Sequence, residues 1–143
     1  IIKKNCSKSM ILVHKKFKTS VMASMKVNKS DVSRWGIYNI KKKIDKNNFI
    51  INNVVEKPSI KTSPSNNAVI GRYILPKKIF SKLKSLKPGK SGEFHITDAI
   101  QALIEDDNQF IGHNFSGKYL DCGTMKGYIK STLEISKQWN FAW

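Results

Sequence analysis

The stretch Val54-Val55-Glu56-Lys57-Pro58 ends an extended run with a carboxylate beside an ammonium. A glutamate so placed can accept hydrogen bonds from two hydroxyls of a polyol, and the lysine can act as a point charge on a phosphate. Pro58 favours an extended conformation at Lys57. The plainer alternative is a solvated strand end, where an exposed Glu-Lys pair contributes little. A second candidate is Asp121 in Leu120-Asp121-Cys122-Gly123. An acid at a strand end before a glycine turn suits a hard cation with oxygen ligands, and it equally suits a turn or helix cap. Gly36, after Trp35, is a third: without a side chain the backbone can approach a ligand closely, or it is an ordinary turn glycine.

Other chemistry is not encoded. His14, His95 and His113 fall in three different elements with no Cys or carboxylate at ligand spacing. Ser63 and Ser65 lack a Gly-x-Ser-x-Gly setting. Pro88 to Gly92 lacks the spacing of a P-loop and reads as a turn. Cys6 and Cys122 stand far apart without a CxxC, which excludes a zinc module and a disulfide scaffold and leaves two reduced thiols.

The elements that must hold these residues fit in 143 residues, one domain spanning 1–143, with 40% hydrophobic content to supply a core. Met10, Ile11, Val13 and Phe17 recur at helical spacing behind Ser9, and Thr19 to Val27 alternates as a strand. Asp31 to Gly36 is turn-like. Strands are expected over Ile37 to Ile40 and Phe49 to Val55, an antiparallel pair joined by a lysine-rich connection, and over Ala68 to Leu75 after a loop. Pro76 opens a helix through about Leu86, and Thr97 caps a helix with Ile100, Leu103 and Ile104 on one face. Phe110 to Phe115 and Lys118 to Leu120 form a hairpin around Ser116-Gly117, and Met125 to about Gln138 is a last helix. The order fits an α/β layer structure whose opening strands are missing; residue 1 is Ile, which reads as a processed product or a piece of a longer chain.

The net charge is +16, divided as +19 through Lys90 and −3 from Ser91 onward. Such a basic segment makes nucleic acid the first partner to consider. Its texture argues otherwise, because only Arg34 and Arg72 are arginines and no aromatic residues interleave the lysines to stack bases. No apolar run approaches the roughly 18 residues of a membrane span, so a soluble, cytoplasmic protein without membrane partners is expected.

The same stretches recur together in one order, and there the sequence resembles the C-terminal half of bacterial UTP:glucose-1-phosphate uridylyltransferases, also called UDP-glucose pyrophosphorylases. The resemblance is carried by Asp31-Val32-Ser33-Arg34-Trp35-Gly36-Ile37, Val55-Glu56-Lys57-Pro58, Pro64 to Leu75, Gly92 to Ile100 and Gly117 to Gly123, with Gly127-Tyr128 beyond. It covers nearly the whole chain from about Met10.

The resemblance implies a nucleotide-diphospho-sugar transferase fold, a three-layer α/β/α sandwich with a mixed sheet, incomplete because the N-terminal Rossmann-like half is missing. It implies that Glu56 holds sugar hydroxyls and Lys57 the sugar 1-phosphate. Gly36 and Val69 would flank the sugar, and Asp121 would help place Mg²⁺. UTP and glucose 1-phosphate would be the substrates, and the full-length enzyme a homo-oligomer. Departures are Trp35 for the family's common Tyr, His95 for Gln, and the pair Leu120-Asp121, which is similar to the thymidylyltransferases; a dTTP-using glucose-1-phosphate thymidylyltransferase is therefore an alternative, as is a non-catalytic basic remnant or anion- or nucleic-acid-binding module. Without a glycine-rich nucleotide loop the isolated chain is expected to be inactive. It is also expected to fold poorly, with Val21, Ala23, Met25 and Val69 to Tyr73 left without neighbours and strand edges unpaired.

Overall fold

The computed structural model describes residues 5–88, 92 and 94–139. The chain divides into two compact units, one spanning Cys6–Phe115 and the other holding the stretch from Ser116. The expected turn over Pro88 to Gly92 falls largely outside the described residues.

In the first unit α1 (Cys6–Phe17) leads into β1 (Ser20–Lys26) and a 3-10 turn over Lys29–Arg34. β2 (Gly36–Lys43), β3 (Asn48–Glu56), β4 (Asn67–Ile74), α2 (Ile79–Ser85), α3 (Ile96–Glu105) and β5 (Phe110–Asn114) follow. The strands are ordered β1-β4-β2-β3-β5, and β5 returns to β1, so the mixed sheet closes on itself. β1 pairs antiparallel with β4 and parallel with β5, and β3 pairs antiparallel with both β2 and β5.

Alternation along the strands builds a core on each face, and Val32, Ile37 and Ala68 form a third, smaller cluster. Met22, Val69 and Phe110 point to the side covered by Ile79 of α2 and by Ala99, Ile100 and Leu103 of α3. Their neighbours Val21, Ala23, Ile70 and Ile111 point the other way, against Met10 and Val13 of α1. This period of two puts helices on both faces, the layering expected of the fold. It also corrects one expectation: Val21 and Ala23 are fully buried and Ile70 nearly so beneath α1, and Val69 is nearly buried on the face that α2 and α3 cover.

Four other details differ from the sequence reading. Ser9 is not a cap; α1 begins at Cys6, and the Ser9 hydroxyl donates to the Cys6 carbonyl at 2.8 Å. The lysines of Lys41 to Lys43 extend β2, since a solvated hairpin end needs no apolar alternation, and Asp45 turns the chain by accepting the Asn47 and Asn48 amides at 2.9 Å. Pro76 precedes a turn in which its carbonyl accepts the Ile79 N–H at 3.0 Å, so α2 starts later than expected. The 116–117 hairpin does not form: β5 ends at Asn114 and takes β1 and β3 as partners, and 118–120 is not a strand. In the second unit, α4 (Met125–Trp139) is the expected last helix.

Candidate functional site

Gly36 opens β2 directly opposite Glu56, the last residue of β3. Directly paired residues face the same side of a sheet, so the Glu56 side chain stands over the place where Gly36 has none. A Cβ built on Gly36 would lie 2.9 Å from Glu56 Oε2 and 3.4 Å from methyl carbons of Val54 and Val69. Only glycine leaves the carboxylate that position. A backbone bond fixes the same corner: the Lys57 N–H donates to the Trp35 carbonyl at 3.0 Å. Lys57 itself has φ +43, which corrects the expectation of an extended conformation before Pro58. The strand end must turn away while its amide stays tied to Trp35, and that geometry overrides the proline's preference.

Gly36, Glu56 and Val69 border one cleft of about 270 Å³, closed on its other sides by Arg34, Trp35, Gly71 and Tyr73 and by His95, Ile96 and Thr97. Lys57 is exposed and is not among the lining residues. β4 reaches the cleft through an irregularity: Met22 pairs with Tyr73, but Ser24 pairs with Val69, so β4 carries extra residues around Gly71, whose φ is +66. A glycine is the residue that takes this backbone without strain. The far wall is the first turn of α3. Thr97 does not cap it; His95 stands at the cap position without a side-chain capping bond to the helix, and Thr97 lies within the helix. Its Oγ1 is buried and has no hydrogen-bond partner among the described residues. Neither Glu56 nor Lys57 makes an ion pair among those residues.

The sequence profile of the nucleotidyl transferase family matches residues 1–138. The chain belongs to the nucleotidyl transferase family. Within this family it is 37% identical over 125 residues to the UTP–glucose-1-phosphate uridylyltransferase of Pseudomonas aeruginosa, an alignment covering 87% of this chain and 44% of that protein. It is 36% identical over 117 residues to UTP–glucose-1-phosphate uridylyltransferase 1 of Staphylococcus saprophyticus, covering 82% and 40% respectively. In structure it matches UDP-glucose pyrophosphorylase complexed with UDP-glucose with a TM-score of 0.88 at 35% identity, over 96% of this chain and 52% of the other. The chain thus spans about half the length of the curated relatives it matches.

Asp121, the nucleotidyl transferase residue expected to place a metal ion, lies in the second unit. Its Oδ1 accepts the Gly123 N–H at 3.0 Å, and its carbonyl accepts the Ser131 hydroxyl at 3.4 Å. This is the geometry of a turn acid. No group of three or more His, Cys, Asp or Glu that could hold a metal ion occurs among the described residues, and no described helix is long and apolar enough to cross a membrane.

Three of the five candidate residues therefore meet in one cleft, Lys57 stands beside it, and Asp121 belongs to the other unit. Arg34, Tyr73 and Thr97 were not assigned to the site from the sequence. Arg34 is two residues before Gly36, and Thr97 lies within a matching stretch, so proximity to marked residues was the available signal. What brings Thr97 to Glu56 is the packing of α3 over the sheet, which no local pattern expresses.

Proposed function

We propose that this chain supplies the sugar-phosphate pocket of an enzyme that forms UDP-glucose and pyrophosphate from UTP and glucose 1-phosphate. The observation that carries the reading is the Glu56 carboxylate lying over bare Gly36 in a cleft, in a chain whose relatives bear the uridylyltransferase name. Those names favour UTP over dTTP.

Glu56 accepts hydrogen bonds from adjacent sugar hydroxyls, Val69 gives the ring an apolar wall, and the orphaned Thr97 hydroxyl gains a polar partner when a polyol fills the cleft. Lys57 at the rim attracts the 1-phosphate. An oxygen of that phosphate attacks the α-phosphorus of UTP; the new P–O bond forms as the bond to the β-phosphate bridging oxygen breaks, and pyrophosphate leaves with that electron pair. Little covalent chemistry falls to the protein, so its part is to hold two polyanions in line and offset their charge.

Asp121 is a hard oxygen donor of the kind Mg²⁺ takes singly or in pairs, with water and phosphate oxygens completing the shell. It is the residue of this chain that would hold the ion. When bound, the ion would offset phosphate charge.

The test is titration of the 143-residue chain with glucose 1-phosphate. Glu56→Gln exchanges one acceptor oxygen for a donor and is expected to weaken binding by about 1.5 to 3 kcal/mol, as for a hydrogen bond to a charged group. Unchanged affinity in that variant, or salt-dependent binding of random duplex DNA with none of the sugar phosphate, would overturn the reading.

A further inference from the structure

His113 is a buried imidazole that takes no part in the cleft. It stands on β5 beneath α1, and its two ring nitrogens face different elements. Nδ1 meets Asn48 Oδ1 at 2.8 Å, and Nε2 meets the Ser9 hydroxyl of α1 at 3.1 Å. The two elements are held unequally. Asp45 fixes the turn before Asn48 by accepting the Asn47 and Asn48 amides and the Asn48 side-chain nitrogen, and the Asn114 N–H donates to the Asn47 carbonyl at 2.8 Å. α1 buries only Met10 and Val13 against the sheet, and Ser9 adds its bond to the ring. The element with fewer ties is the one that opens more readily.

A neutral ring is satisfied where it stands. Asp45 holds the Asn48 side-chain nitrogen, so Asn48 Oδ1 takes the Nδ1–H and Nε2 accepts from Ser9. A charged ring is not. Its second N–H would find only the Ser9 oxygen, with the hydroxyl hydrogen turned to the Cys6 carbonyl at 2.8 Å, in place of the water that an imidazolium attracts.

The surrounding charges do not reverse this. Asp45 favours the imidazolium, but burial outweighs it and the ring lies below its ordinary 6.5. The turn carries Lys46 beside Asp45, and α1 carries Lys8, His14, Lys15 and Lys16 and no acid. Burial raises the Cys6 thiol above its ordinary 9.0, so it stays uncharged. β1 places Ala23 opposite the ring.

We propose that His113 is a pH-operated latch for α1: when neutral it holds the helix on the sheet through Ser9, and when protonated it shifts the helix to a lifted state in which the ring reaches water. Lifting α1 uncovers the apolar face formed by Val21, Ala23, Ile70 and Ile111. The lifted state binds the proton more tightly. Its share therefore grows as pH falls below about 6.5 and levels once the docked ring is protonated too.

Hydrogen exchange of the 143-residue chain, corrected for the intrinsic pH dependence of amide exchange, reads α1 separately from the strands. Between about pH 7.5 and 5.5 the opening constant at Met10 and Val13 is expected to rise about threefold or more, and that of the β1 amides by a smaller factor. His113→Asn, which cannot take the proton, should leave the α1 constant level with pH. Should that variant not fold, the same linkage is read in the other direction: Val13→Ala loosens α1 and should raise the His113 pKa, followed by NMR, toward 6.5. α1 protection that is flat with pH, α1 and β1 losing protection by the same factor, a dependence that survives in His113→Asn, or a His113 pKa unmoved by Val13→Ala would each overturn the latch.

Discussion

A single missing carbon atom sets the position of the most chemically informative side chain in this protein. Gly36 is not needed for an unusual φ; it is needed because Glu56 Oε2 occupies the space a Cβ would fill, 2.9 Å from that position. The atom in conflict is the end of a flexible, exposed side chain, so Gly36→Ala should be cheap in stability and costly in function. The carboxylate would swing off the strand corner, and the neighbouring methyl groups of Val54 and Val69 at 3.4 Å leave the new methyl little room to shift instead. We expect Gly36→Ala to weaken glucose 1-phosphate binding by about as much as Glu56→Gln, roughly 1.5 to 3 kcal/mol, with a thermal midpoint within a few degrees of the parent. A calorimetric titration paired with a melt decides it. A large loss of stability with normal affinity would show that the glycine serves packing and not the placement of Glu56.

Between elements, polar contacts join the strands to α1 where apolar packing alone would leave the register free. His113 of β5 is buried; its Nδ1 meets Asn48 Oδ1 at 2.8 Å and its Nε2 meets the Ser9 hydroxyl of α1 at 3.1 Å. The Asn48 amide nitrogen donates to both Asp45 oxygens, at 2.9 and 2.8 Å, so Asn48 Oδ1 faces the ring and His113 Nδ1 must carry the proton. Burial pushes the His113 imidazole below its ordinary 6.5, and the charge of Asp45 opposes that shift. The Asn48 side chain, with the Asn47 and Asn48 amides, holds Asp45 below its ordinary 3.8. The unfolded chain therefore binds a proton at this histidine more readily than the folded one. Its contribution to stability is complete above about 6.5, falls as pH drops from there through the lowered folded value, and then levels. Asp45 adds a separate loss at lower pH, from its ordinary 3.8 downward. Urea melts from pH 8 to 3 should show both slopes. His113→Asn should flatten the upper one and Asp45→Asn the lower; an upper slope that survives in His113→Asn would assign it to another group. Such links explain what could be read beforehand. The strands, α1, α3 and α4 were legible because Val21-Met22-Ala23 and Ile100 to Ile104 carry their own period. Glu56 and Gly36 were legible as a local motif. The closure of β5 onto β1, the late start of α2, and the turn at Lys57 were not, because each is decided by a partner distant in sequence.

On the scale of the whole molecule, the cleft-lining residues belong to the unit Cys6–Phe115 and Asp121 to the other, so their contributions can be tested one at a time. Every strand among the described residues, and the cores on the two faces of the sheet, lie within Cys6–Phe115. The strand order closes there, with β2 and β4 joined at the single pair Ile37–Ala68, which shortens the edge that an opened sheet would present for aggregation. The cleft-lining residues, from Arg34 to Thr97, fall within the same unit. A variant ending at Phe115 should therefore unfold in one step, with Trp35 as its only tryptophan, and Trp35 fluorescence and far-UV circular dichroism should give coincident urea transitions. It should bind glucose 1-phosphate with the affinity of the 143-residue chain, since the residues proposed to hold the sugar phosphate all lie within Cys6–Phe115. Neither form should make UDP-glucose from UTP. In the truncated form Asp121 is gone, and the 143 residues contain no glycine-rich loop of backbone donors to hold the nucleotide's phosphates, so a bound sugar phosphate has no positioned electrophile to attack. Adding a nucleotide-binding half as a second chain should then restore turnover to the 143-residue form and not to the form ending at Phe115. Turnover by either form alone, or equal rescue of both, would show that Asp121 and the stretch from Ser116 are not part of the transfer machinery.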